Sequence, residues 1–143
     1  MSRETPEQIA GQIHSAAIHL LRRLRQADGA SGLNSPRLSA LSVIVFAGPL
    51  TLGQLADAEQ VKPPTMTRIV QALEAKGLVR KIANPEDRRT IHLAATMQGK
   101  RLLVRARRRR IQPLAEVIGR LSREEHEALQ RAVAVMERLV RDS

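Results

Sequence analysis

The 143-residue chain has no cysteine, tryptophan or tyrosine, and Phe46 is its only aromatic residue. Without cysteine there are no disulfides, thiolate metal sites or thiol redox chemistry, and folding needs no oxidising compartment. A single ring cannot provide a platform for stacking unpaired bases, which disfavours single-stranded nucleic acid and RNA loops as partners. No run approaches the ~20 apolar residues of a membrane-spanning helix. The most apolar stretch, Leu38 to Leu50, is short and contains Pro49. The N-terminus carries Glu4 and Glu7 and lacks a signal-peptide pattern. These absences predict a cytoplasmic protein without membrane contact.

Catalytic machinery is missing in the same way. There is no nucleophile motif, glycine-rich phosphate loop or cluster of metal ligands. His14 and His19 are five residues apart and diverge on a helix, while His92 and His126 stand alone. The expectation is no enzyme, no catalytic residue, no cofactor and no metal.

What the chain does have is positive charge, concentrated in one place. The formal net charge is +10. Residues 59–110 hold 14 of the 24 basic residues and 4 of the 14 acidic ones, so that segment accounts for the whole excess. Arginine supplies 20 of the 24. A GC-rich genome would explain arginine over lysine but not two neutral flanks. A localised basic segment points to a polyanion, and with stacking excluded, double-stranded DNA is the better one.

The length suits one domain. Residues 6–26 show the 3,4 spacing of an amphipathic helix through Ile9, Ile13, Ala16, Ala17, Leu20, Leu21 and Leu24. After a break at Asp28–Gly32, Ser35-Pro36 reads as an N-cap and first helical proline. The helix from Pro36 to about Ala47 is expected to bury Leu38, Leu41, Val45 and Phe46 and to stop at Gly48-Pro49. Thr51 caps a short helix with Leu52, Leu55 and Ala56 inward. Pro63-Pro64 opens another to about Lys76, with Met66, Ile69, Val70 and Leu73 inward and Gly77 beyond its end. Residues 51–76 thus have the length and pattern of a helix-turn-helix. Strands are expected at 78–82 and 90–93, around the turn Asn84-Pro85-Glu86-Asp87. A hairpin placed directly after the second helix of such a motif is a wing. Thr96 caps a long helix toward Ile118, which Pro113 should kink or interrupt. Ser122 to Glu125 is a capping box for a last helix with Leu129, Val133, Met136, Leu139 and Val140 on one side.

The stretch TLGQLADAEQVKPPTMTRIVQALEAKGLVRK, followed by NPEDRRTIHLAATMQGKRL, resembles the MarR family of transcription regulators. The wing signature Asp-x-Arg reads here as Asp87-Arg88-Arg89, and a Thr-x-x-Gly follows as Thr96 to Gly99. The resemblance is strong over about residues 35–103, and the flanking helices match in position and length. Lys62 departs from the small capping residue frequent before the two prolines, and Ala95 from a frequent leucine. The implied fold is mainly α with a small β-hairpin wing: a winged helix-turn-helix lobe at 35–95 and N- and C-terminal dimerisation helices at 6–26 and 97–142, together one MarR-like domain over 1–143.

The exposed face of the second motif helix carries Pro64, Thr65, Thr67, Arg68 and Gln71, with Lys62 before it. Entering the major groove, Arg68 would pair with a guanine edge and Gln71 with adenine, with a solvated helix face as the bland alternative. The resemblance implies that Arg89, beside Arg88 at the wing tip, enters the minor groove and that Asp87 orients it by an ion pair. Asp87 as a simple turn former is compatible with that. Arg80 and Lys81 are candidate phosphate contacts, as are Lys100 and Arg101, the basic residues of the long helix nearest the wing. Most of the run from Arg105 to Arg110 is expected to be solvated or paired with acids of the last helix.

The apolar faces of the first and last helices exceed what a small winged domain covers, and the resemblance implies a two-fold homodimer that buries them. It also implies a small-molecule effector, often aromatic or phenolic, whose binding releases DNA from a repressor. A sequence-indifferent architectural DNA-binding protein is the main alternative. A protein-interaction module that has lost DNA binding is a third.

Overall fold

The computed structural model describes residues 3–84 and 86–143, so Pro85 of the expected turn lies outside them. The order of elements is α1 (Pro6–Arg25), a 3-10 turn (Asp28–Ser31), α2 (Ser35–Ala47), α3 (Leu52–Ala58), α4 (Pro63–Ala75), β1 (Val79–Ala83), β2 (Ile91–Ala95), α5 (Met97–Ile118) and α6 (Arg123–Asp142). The architecture is mainly helical with one antiparallel hairpin, as the sequence predicts. Two compact units divide the chain between Arg110 and Ile111.

The first unit is organised around α2, α3 and α4. Leu41 and Ile44 of α2, Leu55 of α3, Met66 and Leu73 of α4, and Leu78 just before β1 are its largest fully buried side chains. Their spacing within each helix is three or seven residues, so each helix turns one stripe inward. Phe46 does not join them and is 76% exposed. It lies five residues after Leu41, which at 100° per residue carries it to the opposite side of α2. Ile44, three after Leu41, fills that place. The cap of α2 is Asn34, one residue earlier than expected, with its Oδ1 accepting from the Arg37 N–H at 3.0 Å. Ser35 is occupied elsewhere, donating its hydroxyl to Asp28.

α3 begins with a capping box. Thr51 Oγ1 accepts from the Gln54 N–H, and the Gln54 side chain accepts from the Thr51 N–H. The turn to α4 passes through Gln60, whose φ of 55° is left-handed. Gly77, with φ of 72°, ends α4 and turns the chain into β1. In the hairpin Val79 faces Ala95, Lys81 faces Leu93 and Ala83 faces Ile91. Leu50 adds a bridge to Leu93, seating β2 against the loop before α3.

The Thr-x-x-Gly signature is a structural joint. Thr96 Oγ1 accepts from the Gly99 N–H at 3.0 Å and donates to the Gly77 carbonyl at 2.7 Å, while the Thr96 N–H reaches the Leu78 carbonyl. One side chain thereby caps α5 and ties it to the end of α4. A Cβ at Gly99 would stand 2.1 Å from the Leu78 carbonyl oxygen, so only glycine permits this approach. α5 runs through Pro113 without interruption, contrary to a break there.

The second unit contains the end of α5 and α6. The Ser122–Glu125 capping box forms as predicted, with bonds of 2.9 and 3.1 Å. Neither α1 nor α6 buries a residue, and Ile9, Leu20, Val133 and Val140 are among the exposed apolar side chains.

Candidate nucleic-acid interface

With Met66, Val70 and Leu73 buried, α4 turns Pro64, Thr65, Arg68 and Gln71 outward, all exposed. Thr67 is half-buried, and its hydroxyl donates to the Pro63 carbonyl at 3.0 Å, which leaves its methyl and its acceptor lone pairs to a ligand. Lys62 stands at the N-cap and makes no capping bond, as its chemistry requires.

The hairpin is held against α4. Lys81 Nζ of β1 lies 3.5 Å from Glu74 Oε1 of α4. Between the two elements a cavity of about 210 Å³ is bordered by Thr67, Gln71, Ile91 and Leu93. Lys81 therefore has an acidic partner, which its sequence position did not reveal. Arg80 is exposed on the same strand, and Lys100 and Arg101 are exposed on the first turn of α5.

At the hairpin tip Asp87, Arg88 and Arg89 are all exposed. The Asp87–Arg89 ion pair implied by the resemblance is not formed; among the described residues the ion pairs are Lys81–Glu74, Arg110–Asp28 and Arg123–Glu127. Asp87 instead accepts the Arg89 backbone N–H on Oδ1 at 3.0 Å and the Thr90 hydroxyl on Oδ2 at 3.1 Å. Thr90 was missed by sequence reasoning, although the Asp-x-x-Thr spacing is visible there.

Most of the arginine run is exposed, as expected, through Arg105, Arg107, Arg108 and Arg109; its pairing partner is what differs, since it is not an acid of the last helix. The acid that engages it is Asp28 of the α1–α2 connector. Arg110 makes a two-point ion pair with Asp28, and Arg109 donates to the Ala30 carbonyl. Burial works against the charge of Asp28, but hydrogen bonds from Arg110 and Ser35, with the charges of Arg110 and Arg25, outweigh it and hold the carboxyl below its ordinary range. The same hydrogen bond raises Arg110. Next to this pair, a cavity of about 240 Å³ is lined by Arg25, Ser35, Phe46, Leu103, Arg107 and Arg110, among others.

Known proteins show the same pattern. The MarR family model matches residues 33–91, which include the whole helix-turn-helix and most of the hairpin. An HTH-type transcriptional regulator of Mycobacterium tuberculosis (strain CDC 1551 / Oshkosh) is 34% identical over 140 residues, 98% of each chain. This chain belongs to the MarR family. It is a DNA-binding transcription regulator and not an enzyme. Among solved structures, a MarR family protein from Bacillus stearothermophilus superposes with a TM-score of 0.81 at 22% identity, over 98% of both chains. A mutant of S. aureus MepR bound to an oligodeoxyribonucleotide gives a TM-score of 0.67 at 19% identity, over 96% of this chain and 99% of that one. No helix among the described residues is long and apolar enough to cross a membrane.

Proposed function

We propose that this MarR-family chain is a sequence-specific repressor that acts as a two-fold dimer and is released from DNA by a small molecule. The observation that carries the reading is the pairing of two exposed basic features on one rigid frame. Arg68 and Gln71 face outward on α4, and Arg88 and Arg89 cap a hairpin tied to that helix by Lys81–Glu74 and to the loop before α3 by Leu50–Leu93. In this reading α4 enters the major groove, where Thr65, Thr67, Arg68 and Gln71 meet base edges. Arg89 follows the wing into the minor groove. Lys62, Arg80, Lys81, Lys100 and Arg101 serve the backbone, Lys81 exchanging Glu74 for a phosphate.

Dimerisation is supported by α1 and α6, which leave their apolar faces uncovered in a single chain. Covering them with a second copy would set two recognition helices about one DNA turn, ~34 Å, apart. For the effector, the cavity beside Arg25, Arg107 and Phe46 offers cationic and apolar walls together. A ligand that binds the DNA-free arrangement better than the bound one shifts the population between them.

The test is a titration of the DNA just upstream of the protein's own gene against random duplex of equal length, at two salt concentrations. A preference of ~10³-fold or more is the outcome expected of a specific regulator. Equal affinity for operator candidates throughout the genome and for random DNA, with a steep salt slope, would identify an architectural protein instead.

A further inference from the structure

The resemblance assigns Asp87 a charge-based role, and the tip of the hairpin has no such arrangement. Both carboxylate oxygens of Asp87 are taken by the two residues that follow Arg88: Oδ1 by the backbone N–H of Arg89 and Oδ2 by the hydroxyl of Thr90. The Asp87 carbonyl accepts the Thr90 N–H at 3.0 Å, and the Thr90 carbonyl accepts the Asn84 N–H at 3.1 Å. Asn84 Oδ1 in turn accepts the Glu86 N–H at 3.0 Å. Thr90 is therefore bonded on three sides, to the tip through its hydroxyl and N–H and to the opposite arm of the hairpin through its carbonyl. The backbone of Arg89 lies between two fixed points while its side chain stays in solvent.

We propose that Thr90 is a positioning residue for Arg89, and that Asp87 acts on Arg89 through hydrogen bonds to the chain and not through its negative charge. The inference rests on the reading of Arg89 as the minor-groove residue. Its physical logic follows from what the groove attracts. A narrow A·T minor groove draws arginine by its negative potential. A carboxylate paired to that guanidinium would cancel part of the charge the groove responds to, and the pair would have to be loosened on entry. Holding only the backbone aims the side chain and leaves its charge whole. It also accounts for the residue types. Asp87 supplies two acceptors at once, and Thr90 supplies the donor that the second acceptor needs.

The two accounts separate on isosteres. Asparagine at position 87 keeps an oxygen for the Arg89 N–H and can donate its amide to the Thr90 oxygen, but it carries no charge. The experiment measures the affinity ratio of the full-length protein for an A-tract duplex over a G·C duplex of equal length. The variants are Arg89→Ala, Asp87→Asn, Asp87→Ala, Thr90→Val and Thr90→Ser. Hydrogen exchange of the Arg89 amide is followed by NMR in the same variants without DNA. Arg89→Ala should lower the ratio by about tenfold, the scale of one lost groove contact. Asp87→Ala and Thr90→Val should lower it by a comparable factor, whereas Asp87→Asn and Thr90→Ser should stay near wild type. Protection of the Arg89 amide should be lost in Asp87→Ala and kept in Asp87→Asn. If Asp87→Asn falls with Asp87→Ala while Thr90→Val behaves as wild type, charge is what matters and the proposal fails. An unprotected Arg89 amide in the wild type also overturns it, whatever the DNA results. If Arg89→Ala leaves the ratio unchanged, the minor-groove reading is what has failed.

Discussion

Arg110 of α5 holds Asp28 of the α1–α2 connector by two parallel hydrogen bonds, Nε to Oδ1 and Nη2 to Oδ2, across 82 residues of sequence. Asp28 is the one charged residue in the buried set among the described residues, 3% exposed. The connector is further fixed by Arg109 on Ala30 and by Lys76, the C-cap of α4, on the Gly32 carbonyl. A paired charge inside a protein is weak evidence for added stability, but removing one partner leaves the other desolvated and unmatched.

Replacing Asp28 by Asn should therefore destabilise the protein by about 1–3 kcal/mol, the usual cost of a buried polar group left without its partner. Urea unfolding monitored by circular dichroism reads this directly. The pH dependence follows from the depressed carboxyl. The unfolded chain takes up this proton more readily than the folded one, so the stabilisation is complete above the ordinary value of 3.8 and is lost as pH falls below it. The stability gap between wild type and Asp28→Asn should be flat near neutral pH and narrow only under those acid conditions. A gap that closes near pH 6 would point to another group.

Gln60 sits at φ 55° in the turn between α3 and α4, where a side chain is strained and glycine is not. Gln60→Gly should raise stability by up to about 1 kcal/mol, and Gln60→Val should lower it by at least as much, since branching at Cβ worsens the strain. Thermal melts of the three proteins decide this; a destabilised glycine variant would show that the Gln60 side chain contributes contacts that outweigh the strain.

Gly99→Ala is expected to be strongly damaging for a single methyl. Its Cβ would meet a backbone oxygen, which cannot rotate away as a side chain can. Overpacking of this kind costs about 1–3 kcal/mol or more. The variant should melt earlier and lose DNA affinity in parallel, because α5 must back away from the root of the wing.

On DNA, Arg68→Ala should cost ~1–3 kcal/mol at one base position and relax preference there. Lys100→Ala should weaken all duplexes alike and reduce the salt slope by about one. A uniform loss for Arg68→Ala would move it to the phosphate contacts, and an unchanged slope for Lys100→Ala would remove it from them.

Most helices were readable because their signals are local. Proline and glycine punctuate α2, α4 and the start of β1, and the capping pairs Thr51–Gln54 and Ser122–Glu125 form as their spacing predicts. Asn34 took the cap that Ser35 was expected to fill because Ser35 has a partner seven residues away, Asp28. Phe46 was assigned to the core on hydrophobicity, but its angular position on α2 overrules its composition. Pro113 leaves α5 continuous. In the candidate interface, the outward face of α4 could be read from periodicity, since the inward stripe fixes it. Lys81–Glu74 and Asp28–Arg110 could not, because each depends on side chains brought together by folding, whereas Asp87–Thr90 has a visible spacing but required a choice among several partners for the carboxylate.

Thr96 makes a joint without play. Its one hydroxyl binds the last carbonyl of the α4 turn and the first turn of α5, and the Gly99–Leu78 contact leaves no clearance between them. Two helices that meet in this way cannot slide past each other, so a tilt at the start of α5 is also a swing of the Gly77 end of α4. The hairpin is rooted at the same point, with Val79 and Ala95 opposite each other beside the joint. The helix face carrying Arg68 and the tip carrying Arg89 must then move in phase. A duplex held by both would be seized or let go in a single stroke, not one groove after the other.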